Sequence, residues 1–375
     1  MEGNSSPQRL VFFGDICLAR SLYGESADSL VDTAVSRDLC RDSLVVANME
    51  SVLRDYEDVD CDHLDFQGDP KLLSGLDFVD VFGLANNHIN DFGDDGIRET
   101  IEAIEQAGFD WCGVNAYISE MMVDGFKVAV IFASDMMNKA FDESQTFSTL
   151  DLYSGELENT VELAAQSADF TILYVHTGLL FCPFPSMKLR RRLLQLTTEG
   201  VAAIITAHSH CAGGIEWSTN GVPIIYSLGD TIMDGASFRR RRSFAAELQF
   251  SAHGVAVKLL DLKFKGKALE LAGRVHKIRA ALNRVVFTFI MILPLWIYSG
   301  IYNWLYRLSM LFHISSTLRY LVYTLGLSGT IRRLALRRTE VFRFASWLRR
   351  DRKASSTDYD AILPNRKVIK AKDLK

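Results

Sequence analysis

The stretch LANNHINDFGDDG, residues 84–96, follows directly on FVDVF (78–82), an apolar run of β-branched and aromatic residues that reads as a buried strand. Asn and Asp suit turns, so one of them here would be punctuation. Asn86, Asn87, His88 and Asp91 fall within six residues, and Gly93 and Gly96 free the backbone around them. A strand that ends on two amides, an imidazole and a carboxylate is either an elaborate turn or part of a site. The rest of the chain decides between the two.

Polar residues with ligand chemistry recur wherever an apolar run ends. LVFFGD gives Asp15, LVVANME gives Asn48 and Glu50, FTILYVHTG gives His176, and AAIITAHSH gives His208 and His210. In open α/β folds, ligands bind beyond the carboxyl ends of strands, so five such loops converge on one place. Carboxylate, amide oxygen and imidazole suit a divalent cation, and a dinuclear centre needs six or more of them. A lone His such as His253 or His313 carries no such argument.

Strand candidates are 10–13, 44–47, 78–85, 128–132, 170–175, 202–206 and 222–226. Helix-period stretches lie between them. GIRETIEAIEQAG (96–108) puts Ile97, Ile101, Ile104 and Ala107 on one face, and 187–200 has a similar pattern. Interleaved strands and helices predict an α/β domain. FAAELQF (244–250) and GVAVKLLDLKF (254–264) alternate with period two and predict a closing antiparallel pair. The domain is expected to span residues 1–270, with a basic apolar helical region over 271–350 and a polar tail over 351–375.

The net charge of −5 over 375 residues conceals a split. Residues 271–375 carry 20 Lys and Arg against 5 Asp and Glu, which leaves 21 against 41 for residues 1–270. An acidic body with a basic tail suits a tail that meets an anionic surface. Val285 to Tyr306 holds no charged residue or His, enough as helix to cross ~30 Å of hydrocarbon. Pro294 and Gly300 interrupt it, Arg319 sits within the next apolar run, and both flanks are basic. A re-entrant hairpin or in-plane helices over residues 285–328 fit these features better than one crossing. The expected partner of that region is the membrane, not nucleic acid, with the preceding domain on the cytoplasmic side. A buried helical hairpin is the plain alternative. The six cysteines show no CxxC spacing and no disulfide framework, and no apolar leader precedes the first strand, so no signal peptide is expected.

Taken in order, GD (14–15), NME (48–50), ANNHINDFG (85–93), HTG (176–178), HSH (208–210) and YSLGD (226–230) resemble the motifs of the CapA family. These are capsule and poly-γ-glutamate synthesis proteins with a calcineurin-like metallophosphoesterase fold. The resemblance covers about residues 9–235. It implies an α-β-β-α sandwich with two divalent metal ions, Mn, Fe or Zn, held by Asp15, Glu50, Asn87, His176, His208 and His210. It further implies His88 as proton donor or oxyanion stabiliser and Asp91 as its orienting partner. The function it implies is a part in capsule or poly-γ-glutamate-type envelope polymer synthesis, on an anionic substrate or polymer and with polymer-synthesis partner proteins. Metal-dependent hydrolysis of a small phosphoester and a scaffold with a degenerate site are the alternatives.

The sequence departs from the pattern in three places. Cys17 stands where calcineurin-like phosphatases usually have a His, and a buried structural thiol is its favoured reading. Leu180 stands where relatives have a Glu after HxG. YSLGD replaces YSLGN, which brings a carboxylate, Asp230, near the site. Arg190–Arg192 read as a solvated helix face. Arg239, Arg240 and Arg241, in the Arg run after SLGDTIMDGASF, are the candidate substrate-binding residues, an anion-binding rim.

Overall fold

The computed structural model describes residues 7–32, 35, 40–55, 66–135, 141, 145–233, 243–265, 268–294, 297–302, 304–305 and 308. In chain order, the first half contains β1 (Arg9–Ile16), β2 (Ser43–Met49), β3 (Val52–Leu53), β4 (Gln67–Gly68), β5 (Val81–Gly83) and helix α1 (Gly93–Gln106). It continues with β6 (Asp110–Cys112), β7 (Ile118–Val123), β8 (Phe126–Ser134), α2 (Gly155–Ser167) and β9 (Phe170–Thr177). The second half follows with α3 (Met187–Leu196), β10 (Ala203–His208), β11 (Ile215–Trp217), β12 (Pro223–Ile225) and β13 (Asp230–Ile232). Strands β14 (Ser243–Ser251), β15 (Gly254–Lys265) and β16 (Ala268–Leu271) precede α4 (Arg274–Met291).

Two mixed sheets hold all of these strands except β3 and β4, which pair with each other as a short parallel ribbon. One has the order β16-β15-β14-β1-β2-β5-β6, with β13 pairing parallel to the end of β1; the other runs β11-β12-β10-β9-β8-β7. Strands β1, β2, β5 and β6 are mutually parallel, as are β8, β9, β10 and β12. The expected closing pair is present as antiparallel β14 and β15.

The layering follows from the alternation of side chains along each strand. Leu10 and Phe12 of β1, Val46 of β2, Val130 and Phe132 of β8 and Ile205 of β10 share one core between the sheets. Val11 and Phe13, one residue out of phase, face the opposite way and pack with Ile97 and Ile104 of α1. Ile131 of β8 and Leu173 of β9 likewise pack with α2 and α3. Helices therefore cover both outer faces, giving α-β-β-α layers. Central strands buried on both faces have no polar alternation, which is why their sequences read as continuous apolar runs. The strand expected over 78–85 is shorter, Val81–Gly83, because Phe78 and Val79 enter the outer core from the preceding turn.

Packing continues beyond residue 270. Phe287 and Met291 of α4, with Tyr298 and Tyr302, join the cluster formed by α2, α3 and their sheet. Arg190, expected on a solvated face, instead anchors this segment. Its Nε donates to both Glu216 oxygens at 2.9 and 3.1 Å, and its Nη2 donates to the Met291 carbonyl at 3.0 Å. Arg192 is likewise engaged, donating to the Leu152 carbonyl and pairing with Glu158. The Tyr298 hydroxyl donates to the Pro185 carbonyl at 2.6 Å. Among the described residues no helix is long and apolar enough to cross a membrane. Residues 309–328 of the expected membrane region, and Arg239, Arg240 and Arg241, lie outside the described residues.

Candidate metal centre

The carboxyl ends of β1, β2, β9 and β10 bring their polar residues together. Asp15 ends its side chain beside Asn48, whose amide donates to Asp15 Oδ1 at 2.8 Å, and Asp15 Oδ2 accepts from the His208 backbone N–H at 3.0 Å. His176 stands at the end of β9. Its Nδ1 is 3.2 Å from Asn48 Nδ2 and its Nε2 is 2.7 Å from Asn87 Oδ1 and 3.0 Å from His208 Nδ1. All of these side chains are buried.

The turn that carries His208 and His210 is shaped for this purpose. Both residues have positive φ, 96° and 55°, an uncommon backbone region for non-glycine residues that concentrates at functional sites. The result is that His208 and His210 both reach the cluster. Glu50 lies at its centre, with Oε1 3.5 Å from His176 Nε2 and 3.8 Å from His210 Nε2.

Two sets of ligand-type atoms follow. Glu50, His176 and His208 form one, and Asp15, Glu50 and His210 form the other, each with its atoms within 4.8 Å of one another. Glu50 belongs to both. Its side chain is fully buried, and no hydrogen bond reaches either of its oxygens. A buried carboxylate without donors is costly, and divalent cations between these two sets would satisfy it. The residues present therefore fit a metal centre with mixed oxygen and nitrogen donors.

Electrostatics agree with that reading. Burial, and then the charge of Glu50, push the Asp15 carboxyl up to about 7. Burial raises Glu50 as well. Burial holds His176 down to about 4, so its imidazole is neutral and able to act as a ligand at neutral pH. Anions crowded together without compensation are what a cation site looks like before it is filled.

His88 and Asp91, from the opening stretch, sit at the edge. His88 Nδ1 is 2.7 Å from Asp91 Oδ2, which also accepts from the Phe66 backbone N–H at 2.8 Å. The Phe66 ring stacks on the imidazole with centroids 3.8 Å apart. Burial alone would lower the His88 pKa, but the charge and hydrogen bond of Asp91, with Glu50 beyond, outweigh it and the net shift is upward. Asn86 belongs to the scaffold. It donates to the Met49 carbonyl and to Asn48 Oδ1, and accepts from the His88 backbone N–H.

Some contributors carry no sequence signal. Phe66 lies in no motif, and neither does Arg20, whose guanidinium sits 4.3 Å above the Phe66 ring and whose charge acts on Glu50 and His88. Asp230 is placed by the pairing of β13 with β1, directly across from Asp15, and its Oδ1 is 2.6 Å from His210 Nδ1. Cys17 is buried with Ala19, Phe66 and Met233 in a small apolar cluster.

Residues 9–235, which include every motif above, match the model of the bacterial capsule synthesis protein PGA_cap family. The chain belongs to that family. Among PGA_cap relatives, the PGA biosynthesis protein CapA of Bacillus subtilis (strain 168) is 26% identical over 194 residues, covering 49% of this chain and 50% of that protein. The capsule biosynthesis protein CapA of Bacillus anthracis is 24% identical over 188 residues, covering 47% and 46%. The chain thus spans about half the length of the curated relatives it matches. Among solved structures, a 5′-nucleotidase precursor from Thermus thermophilus aligns with 17% identity and a TM-score of 0.43. That alignment covers 76% of this chain and 59% of that one.

Proposed function

We propose that the chain is a metal-dependent hydrolase of the metallophosphoesterase type that acts on an anionic linkage during capsule or poly-γ-glutamate-type polymer synthesis. The observation that carries this reading is Glu50: fully buried, without a hydrogen bond to either oxygen, and common to both ligand sets. Family membership and the names of the relatives support the polymer setting.

Asp15, Glu50, Asn87, His176, His208 and His210 would hold two divalent ions. When bound, such a pair supplies Lewis acidity and a source of hydroxide at neutral pH. The protein's own contribution is positional. Asp15 and the Asn48 amide fix one wall, the neutral His176 presents an imidazole lone pair, and His208 stands beside it with its Nδ1 3.0 Å from His176 Nε2. His88 carries the proton for the leaving oxygen. Asp91 holds its Nδ1–H and keeps the ring charged to higher pH, and Phe66 fixes the ring plane. A water oxygen would bond to the electrophilic centre of the linkage as its bond to the leaving oxygen breaks; the leaving oxygen takes the His88 proton, and the proton given up by that water restores it.

A second reading keeps the metals but replaces turnover with binding of an anionic polymer within a membrane assembly. Metal analysis of the purified chain, followed by a panel of phosphomonoesters and phosphodiesters, separates the two. Turnover that falls with bound metal in Asp15→Ala supports hydrolysis. Full metal occupancy with no turnover of any phosphoester favours the polymer-binding reading. Absence of stoichiometric metal would sink both.

A further inference from the structure

Helix α4 buries one face and leaves the other bare. Phe287 stacks on Phe184 with ring centroids 5.2 Å apart, and Met291 joins the same core. Ile278, Leu282, Val285, Val286, Phe289 and Ile292 are each between 53% and 73% exposed. At 100° per residue these six fall within an arc of about 120°, and Phe287 points about 180° away from Ile278. A continuous apolar stripe on the outside of a packed helix marks an interaction surface.

We propose that this stripe docks on an anionic lipid surface, with α4 lying in the plane of the headgroup–acyl boundary. Charge selects lipid as the occupant. Residues 271–339 contain ten Lys or Arg and no Asp or Glu; one of the ten, Arg284, pairs with Asp261 of β15 at 2.6 Å, which leaves nine. An apolar stripe within a strongly cationic, acid-free segment matches a surface of anionic headgroups over acyl chains. Lying rather than crossing suits α4, which ends at Met291, and among the described residues no helix is long and apolar enough to span. Trp304, 61% exposed, adds an aromatic ring suited to the same boundary. This inference rests on α4 and the charge and aromatic character of the sequence around it, and stands or falls independently of the candidate metal centre.

Flotation of the full chain with vesicles tests it. The chain is expected to float with phosphatidylglycerol-containing vesicles, and more weakly with phosphatidylcholine alone. High salt should weaken the binding without abolishing it. Leu282→Glu with Phe289→Glu should lower affinity for the anionic vesicles by about tenfold or more. Both side chains are exposed, so the melting temperature should not change. Failure of the native chain to bind, or equal binding by the double variant, overturns the proposal. A fall in melting temperature in that variant would show the stripe covered by the chain's own later residues. A change in oligomeric state by light scattering would show it covered by a second copy. Either result also overturns it.

Discussion

Asp230 Oδ1 lies 2.6 Å from His210 Nδ1, and both side chains are buried. With Nδ1 protonated and donating to this carboxylate, Nε2, the nitrogen 3.8 Å from Glu50, would be the atom that faces a metal ion. Carboxylates behind ligating imidazoles typically account for about 10–100-fold in metal affinity. Asp230→Ala is therefore expected to weaken metal binding by about that factor in competition with a chelator. Asp230→Asn, which keeps an acceptor oxygen, should lose less. Wild-type affinity in the Ala variant would remove the orienting role.

Glu50 has the larger effect. Because it belongs to both ligand sets, Glu50→Ala is expected to reduce metal stoichiometry at both positions, whereas His208→Ala should affect one first. Metal content by mass spectrometry checks this. Two ions retained by Glu50→Ala would refute the shared role.

The pH dependence follows from Asp15. Its carboxyl, raised in the folded chain from 3.8 to about 7, holds a proton that an incoming ion must displace. A raised carboxylate stabilises the folded state at low pH, and that contribution is lost as pH rises from 3.8 to about 7. Metal binding offsets the loss. The gain in melting temperature on adding Mn²⁺ should therefore be larger near pH 8 than near pH 5.5. His176, held down to about 4, stays neutral across that range. A gain that does not vary with pH would contradict the protonated Asp15.

His88→Ala is expected to lower turnover of any responsive phosphoester by ~10²–10⁴-fold with little change in bound metal. Asp91→Asn should shift the alkaline limb of the pH–rate profile to lower pH, since Asp91 is the main influence raising His88, the group that must stay protonated to donate. Unchanged turnover in His88→Ala would exclude it as the proton donor.

Arg190→Ala removes the partner of a largely buried Glu216, which also accepts from the Tyr226 hydroxyl at 2.9 Å. The expected cost is about 2–3 kcal/mol in urea unfolding, less than for a fully buried pair because both groups keep some solvent. A change below about 0.5 kcal/mol would place the pair in the surface class.

Much of this candidate site could be read in the sequence because it sits where continuous apolar runs stop. Asp15, Glu50, Asn87, His176 and His208 each follow such a run, and parallel strands align those ends. Asp230 was harder to interpret. Its strand is three residues long, and only its pairing with β1 shows that it faces His210. Phe66 and Arg20 were beyond reach, since a ring stacked on His88 depends on where a loop returns. The uncharged run from Val285 suggested a membrane element, and composition could not show that one face of it is core. Phe287 and Phe289 are chemically identical, but the helix turns one inward and the other outward. Arg190 looked solvated for the same reason: nothing local to α3 reveals Glu216 or the Met291 carbonyl.

Gly214 lies four residues beyond His210, and a Cβ there would come within 2.5 Å of the Phe287 ring. No side chain fits there, so the segment that follows the histidine turn packs its backbone directly against the α4 ring. The helix that bears the bare stripe is thereby joined to the candidate metal centre through one close packing contact. On a lipid surface that contact would be the link between the docked helix and the ligand cluster above the headgroups.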